Sequence, residues 1–194
     1  KEFYDAGISY CSIDYTLAPH AGINEMIEQC VRAVRWLYQS TSNYGYDKKK
    51  FFLIGSSAGA HLAAMTMLTD WENYDLPADI IKGCTLLSGV YDIRPIVKTY
   101  INEPLNLDMQ TASMLSPLFK VRSHTANLII SWGENETNEF KRQSIEFDKK
   151  WKACGNTSHL LEVKGNNHFD IVFNMMKKDC ALRELIIEQI MRVS

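Results

Sequence analysis

The sequence predicts an α/β fold in which a mostly parallel sheet is flanked by helices. Three observations carry this. Short apolar runs alternate with amphipathic stretches along the chain, as strands joined by covering helices do. Residues 51–55 are wholly apolar and end in glycine, as suits a strand buried on both faces. Residues 21–39 place Ile23, Met26, Ile27, Cys30, Val31, Val34 and Leu37 at three- and four-residue steps, the spacing of one helix face.

Taken in order, residues 7–15 read as a first strand, rich in Ile, Tyr and Cys, and residues 21–39 as a helix. A turn-rich stretch over 40–47 leads to the strand at 51–55 and an Ala-, Leu- and Met-rich helix over 57–69. Further strands are expected at 80–87, 128–132 and 160–163, with helices at 139–153 and 171–192 following the last two. Residues 91–122 break the rhythm with Pro95, Pro104 and Pro117. In such folds an excursion of this kind lies at the carboxyl edge of the sheet and walls a pocket. No internal repeat, low-complexity tract or linker divides the chain, so residues 1–194 are read as one domain with this pocket-covering insertion.

Composition narrows the function. A net charge of -2 gives no basic surface for nucleic acid. Lys48, Lys49 and Lys50 form the one evident charge run, read as a solvated approach to the next strand. No run of eighteen apolar residues suggests a membrane span. The five cysteines are odd in number and form no C-x-x-C pair, so free, mostly buried thiols in the reducing cytoplasm are expected. Sequons at Asn135 and Asn156 are discounted, because a glycan on Asn135 would obstruct the candidate site described next.

The strongest motif is Gly55-Ser56-Ser57-Ala58-Gly59, a match to G-x-S-x-G. Alone it also fits a small-residue helix cap. Here an apolar strand precedes it and an Ala-rich helix follows, which is the setting of a nucleophile elbow. Ser57 is the expected nucleophile, and the Ala58 N–H, at the helix start, an oxyanion donor. Ser56 occupies the x position. His61 lies one turn along the same helix and is read as structural, since a base must approach the hydroxyl from above the sheet.

In an α/β-hydrolase the acid and then the histidine follow the serine in chain order. Of the histidines, His124 precedes a strand and His159 enters one. His168 lies in a polar loop after the last strand, where the base belongs. The acid is sought after the strand at 128–132, where Glu134 and Glu136 are both candidates and Asp148 lies too far into the next helix. Glu136 is the better placed, beyond the turn. Tyr91, Trp132 and Phe169 are candidate pocket residues, though each also fits a core role. Cysteines, histidines and carboxylates show no metal-ligand spacing, and the chemistry calls for no cofactor.

These residues resemble the kynurenine formamidases (arylformamidases) of the esterase and lipase branch of α/β-hydrolases. The likeness runs through Asp14-Tyr15-Thr16-Leu17-Ala18-Pro19, through GSSAGAHL at 55–62 and through Ser88-Gly89-Val90-Tyr91-Asp92-Ile93-Arg94-Pro95. It continues in Glu136-Thr137-Asn138-Glu139-Phe140-Lys141-Arg142-Gln143-Ser144 and in Asn167-His168-Phe169. The resemblance implies a serine esterase or amidase acting through an acyl-enzyme on a small ester or an aryl formamide such as N-formylkynurenine, a step of tryptophan catabolism. It places the acid at Glu136, where many relatives have Asp. It also implies an H-G-G segment before the D-Y-x-L-A-P stretch, whose N–H groups build much of the oxyanion hole. Residues 1–13 hold no such segment. The chain is therefore read as N-terminally truncated, as rearranged or as completed by another polypeptide, with a strand missing between those at 7–15 and 51–55 and weak or no turnover on its own. A homo-oligomer or a complementing N-terminal segment are the expected partners. The alternative reading is a pseudoenzyme or binding subunit that keeps the hydrolase fold.

Overall fold

The structure is a computed structural model that describes residues 2–193. Its centre is a four-stranded parallel sheet: β1 (Phe51–Ser56), β2 (Ile81–Leu87), β3 (Asn127–Gly133) and β4 (Ser158–Val163), adjacent in chain order. The β2–β3 and β3–β4 ladders are in register throughout, and β1–β2 is in register from Phe52 on after a shift between Phe51 and Phe52; Leu53 lies beside Cys84, Cys84 beside Leu128 and Ile130 beside Leu160. All strands run the same way, so all four carboxyl ends meet at one rim. That rim is where a doubly covered sheet presents its loops.

Side-chain alternation sorts the two faces. Cys84, Leu86, Leu128 and Ile130 point into a core shared with α1 (Ile23–Gln39), α2 (Ala58–Met67) and the buried Phe147 and Trp151 of α4 (Asn138–Ala153). Leu87 and Ile129 face the other way, against α5 (Asp170–Asn174) and α6 (Ala181–Met191) through Ile171, Leu182 and Ile186. The period of two in the strands thus makes a three-layer sandwich. α1 buries Ile23, Met26, Ile27, Cys30, Val31 and Val34, the stripe expected from their spacing. α2 is buried nearly all round, and its alanines let it lie close on β1. α3 (Met109–Met114) belongs to the 91–122 excursion, which otherwise runs through short 3-10 turns. Asp108 caps it by accepting the Thr111 N–H at 2.6 Å.

Three expectations are corrected. Residues 7–15 form no strand; Gly7 to Tyr15 are irregular and largely exposed. Their β-forming composition finds no neighbouring ladder, and strand propensity counts only where side chains and backbone have one to join. The expected gap inside the sheet is likewise absent. β1 is instead an edge, its outer side unpaired by any strand among the described residues. The last helix is two, broken at residues 175–180, where Lys177 N–H and Cys180 N–H close turns onto the carbonyls of Asn174 and Lys177. Ile171 and Leu182 are eleven residues apart, about three helical turns, so the apolar pattern reads as one continuous face whether or not the helix is interrupted.

The thiols also depart from expectation. All five are free, but only Cys30 and Cys84 are buried, Cys154 and Cys180 are partly covered, and Cys11 is exposed in the irregular N-terminal stretch. Burial pushes the Cys30 and Cys84 thiols up, which leaves them inert.

Candidate active site

Each of the four strands delivers one residue to the rim. Ser57 follows β1, Ser88 follows β2, Glu136 lies just past β3 and His168 just past β4. Ser57 has φ 55° and ψ -118°, a backbone conformation that L-residues rarely hold. The turn is kept by the Ser57 N–H donating to the Leu87 carbonyl at 2.8 Å. It is also kept by Gly55, where a Cβ would collide with the Gly59 carbonyl. Strand and helix therefore approach only because position 55 lacks a side chain, and the tight turn lifts the Ser57 hydroxyl clear of the sheet. Ala58, the first residue of α2, has no intrahelical acceptor for its N–H.

His168 Nε2 lies 3.0 Å from Ser57 Oγ, and its Nδ1 lies 2.9 Å from Glu136 Oε2. A carboxylate only accepts, so Nδ1 carries the proton and donates to Glu136. Nε2 is then free to accept the hydroxyl proton of Ser57. The Glu136 side chain is 0% exposed and that of His168 is 22% exposed, so solvent reaches the imidazole but not its acid. The other carboxylate oxygen of Glu136 accepts the Gly133 N–H at 2.6 Å and the Ser88 hydroxyl at 2.5 Å. Phe140 stacks on the imidazole at 4.3 Å between centroids, and Phe169 meets it edge-on at 5.4 Å. The loop before α5 is fixed by Asn167, whose side chain accepts the N–H groups of Phe169 and Asp170. Asp170 in turn accepts the Asn167 N–H at 2.7 Å.

The remaining expected site residues separate clearly. Glu134 does not touch His168; its carboxylate accepts the Gly165 N–H at 2.8 Å and so braces the histidine loop. Phe169 is 79% exposed at the mouth of the site. Tyr91 is no pocket residue: it is fully buried, with its ring stacked on Phe147 at 4.3 Å. Trp132 is also buried, and its indole N–H donates sideways to Glu162 of β4 at 2.9 Å rather than opening toward Ser57. Both rings lie close to site residues in sequence, yet both are packed inward, Trp132 from within β3 and Tyr91 from the loop past the end of β2. His61 is structural: it is buried, and its Nε2–H donates to the Leu115 carbonyl at 2.7 Å. Burial pushes its pKa down to about 4, only partly opposed by that carbonyl. Asn156 is buried and hydrogen-bonded through its amide to Arg122 and His124. Sequence reasoning missed Ser88, Phe140 and Gly133. Ser88 and Phe140 both sit inside stretches that carry the family resemblance, but nothing in their spacing assigns either a contact.

Gly133 is where the loops carrying Glu136 and His168 touch. A Cβ there would collide with the Asn166 carbonyl, and the neighbouring Asn135 N–H donates to that same carbonyl at 2.8 Å. The assembled geometry can pass a proton from a serine hydroxyl to an imidazole whose far nitrogen is held by a buried carboxylate, which is how a hydroxyl becomes a nucleophile.

Comparison with known proteins agrees with this fold. A family model described as alpha/beta hydrolase fold matches residues 4–171. A kynurenine formamidase from Danio rerio is 33% identical over 189 residues, covering 95% of this chain and 63% of its own length. One from Salmo salar is 33% identical over 188 residues, covering 94% and 62%. The chain thus spans less than two thirds of these relatives. Among solved structures, an esterase from Pyrobaculum calidifontis superposes with a TM-score of 0.76 at 20% identity, covering 97% of this chain and 68% of that one.

Proposed function

The chain belongs to the alpha/beta hydrolase fold family, and on that premise we propose that it is a serine hydrolase cleaving an aryl formamide or a small carboxylic ester through an acyl-enzyme. The observation that carries the reading is the continuous line from Ser57 Oγ through His168 to Glu136, with links of 3.0 and 2.9 Å. The likeness to formamidases over nearly the whole chain supports the choice of formamide over other acyl groups.

In this reading Ser57 Oγ attacks the carbonyl carbon while His168 Nε2 takes its proton. The oxygen becomes an oxyanion near the Ala58 N–H, where the start of α2 favours negative charge. Glu136 keeps the imidazole in the tautomer that can accept, then stabilises the imidazolium. The imidazolium returns the proton to the leaving amine or alcohol as the C–N or C–O bond breaks. A water then attacks the acyl-serine, with His168 again as base, and releases formate or another acid. Phe169, exposed beside the imidazole, is the pocket residue of this proposal. The 91–122 excursion, which packs on α2 through the His61–Leu115 bond, forms a wall.

The direct test is covalent labelling with a fluorophosphonate probe, beside turnover of an aryl ester and an aryl formamide. Labelling of the chain, abolished in Ser57→Ala, is expected. Labelling that persists in Ser57→Ala moves the nucleophile elsewhere, and no labelling with no turnover favours a binding protein that keeps the fold.

A further inference from the structure

We propose that Ser88 is a positioning residue of this site, one that acts through Glu136. Its hydroxyl, donated to Glu136 Oε1, holds the carboxylate in the rotation that presents Oε2 to His168. The inference rests on the serine-hydrolase reading and adds a residue to it from β2, the one strand whose contribution that reading does not use.

Three observations carry it. The bond is short, 2.5 Å, and converges with the Gly133 N–H on a single oxygen, so Oε1 receives two donors while Oε2 is left for Nδ1 at 2.9 Å. The site is closed: Ser88 and the Glu136 side chain are both 0% exposed, so bulk water does not reach the oxygen to replace a lost donor. A carboxylate buried with fewer partners is costly and free to rotate about its last torsion. Finally, the backbone at Ser88 has φ 49°, a conformation glycine adopts at no cost and serine does not. Its N–H donates to the Ser131 carbonyl at 2.7 Å, which fixes it there. If position 88 only had to turn the chain off β2, glycine would suit it better. What serine adds is the hydroxyl, and the hydroxyl goes to Glu136.

The role is distinct from general support of the fold. The carboxylate has one good orientation for His168, set by Ser88 on one side and Gly133 on the other. With the hydroxyl gone, Gly133 alone anchors Oε1, and Oε2 samples positions that no longer meet Nδ1. Substrate binding, which does not involve Glu136, is left unchanged.

The test uses Ser88→Gly, which removes the hydroxyl and relieves the positive φ, so a loss of activity in it is not a loss of fold. With p-nitrophenyl acetate as probe, kcat is expected to fall roughly ten- to a hundred-fold, the usual worth of a hydrogen bond to a charged group, with KM within about twofold. In a Glu136→Gln background the same change is expected to cost less than about twofold more, because residues that act as a unit do not add. A second readout does not depend on turnover: the low-field proton resonance of His168 Nδ1–H, expected in the unsubstituted chain and shifted or broadened away in Ser88→Gly. Unchanged kcat in Ser88→Gly, losses that multiply in the double variant, or an unmoved resonance each overturn the proposal. A chain that turns over no ester but shows the resonance and loses it in Ser88→Gly refutes the hydrolase reading alone and leaves Ser88 as the residue that positions Glu136.

Discussion

Glu134 and Gly165 join the two loops that carry Glu136 and His168: the Gly165 N–H donates to the Glu134 carboxylate at 2.8 Å. Backbone bonds from Glu134 N–H to Val163 and from Asn135 N–H to Asn166 reinforce the junction. Two glutamates one residue apart from each other's neighbour thus divide the work, Glu136 on the imidazole and Glu134 on the loop beneath it. Glu136→Ala is expected to lower ester turnover by roughly ten-thousand-fold, as loss of a triad acid does. Glu134→Ala removes one hydrogen bond from a partly exposed acid and should cost about 0.5–1.5 kcal/mol of stability and only a few-fold in turnover. Steady-state kinetics of the two variants side by side decide between them, and a reversed order would place the acid at Glu134.

Ser57 is held at φ 55°, and such strain costs about 1–3 kcal/mol. Ser57→Gly should therefore be more stable than Ser57→Ala by about 1 kcal/mol, since alanine keeps the penalty and glycine does not. Both should be inert to a fluorophosphonate. Urea unfolding of the pair checks this. Equal stability would mean that the elbow stores no strain at this residue.

Gly133→Ala forces a Cβ onto the Asn166 carbonyl, a backbone atom that can move only with the histidine loop. The expected cost is about 1–3 kcal/mol of stability, as for other overpacked sites. Turnover should fall as well, because the shift carries His168 away from Glu136. Thermal unfolding and kcat measured together test the coupling; a destabilised variant with unaltered kcat would separate the loop's packing from the site.

His61 gives the fold a pH dependence. Its folded pKa, about 4, lies below the value of about 6.5 for an unperturbed histidine, so between these pH values the unfolded chain binds the extra proton. Stability contributed by the neutral, buried ring is therefore fully present above about pH 6.5, falls as the pH drops toward 4, and levels off below. The loss attributable to this residue is up to about 3 kcal/mol, from the size of the shift. Denaturant unfolding at pH 7.5 and pH 4.5, compared with a His61→Gln variant that lacks the titration, should show a shallower pH slope in the variant.

The linear order of residues carried most of the elements and the meeting of Ser57, Glu136 and His168 at one rim. The short apolar strand before G-x-S-x-G and the three-four spacing of α1 are local properties, and local patterns fix which segments become strands and helices. The chain order of Ser57, Glu136 and His168 was legible because each follows a strand, and parallel strands bring their carboxyl ends to one rim. Residues 7–15 misled because strand composition is not a strand without a ladder to join.

Which way a side chain turns at that rim was beyond the sequence. Tyr91 and Trp132 lie close to site residues along the chain, yet the first stacks on Phe147 and the second reaches Glu162. Glu134 and Glu136 are chemically alike and two residues apart, and only the fold sends one to Gly165 and the other to His168. Ser88 lies 48 residues from Glu136 and follows a different strand, β2 rather than β3. Contacts of that range are set by the sheet's register and by the torsions of the loops leaving it, and neither is written in the spacing of residues along one chain. The sequence by itself determined the layers and the chemical groups at the sheet's rim; the tertiary structure decided which of those groups touch.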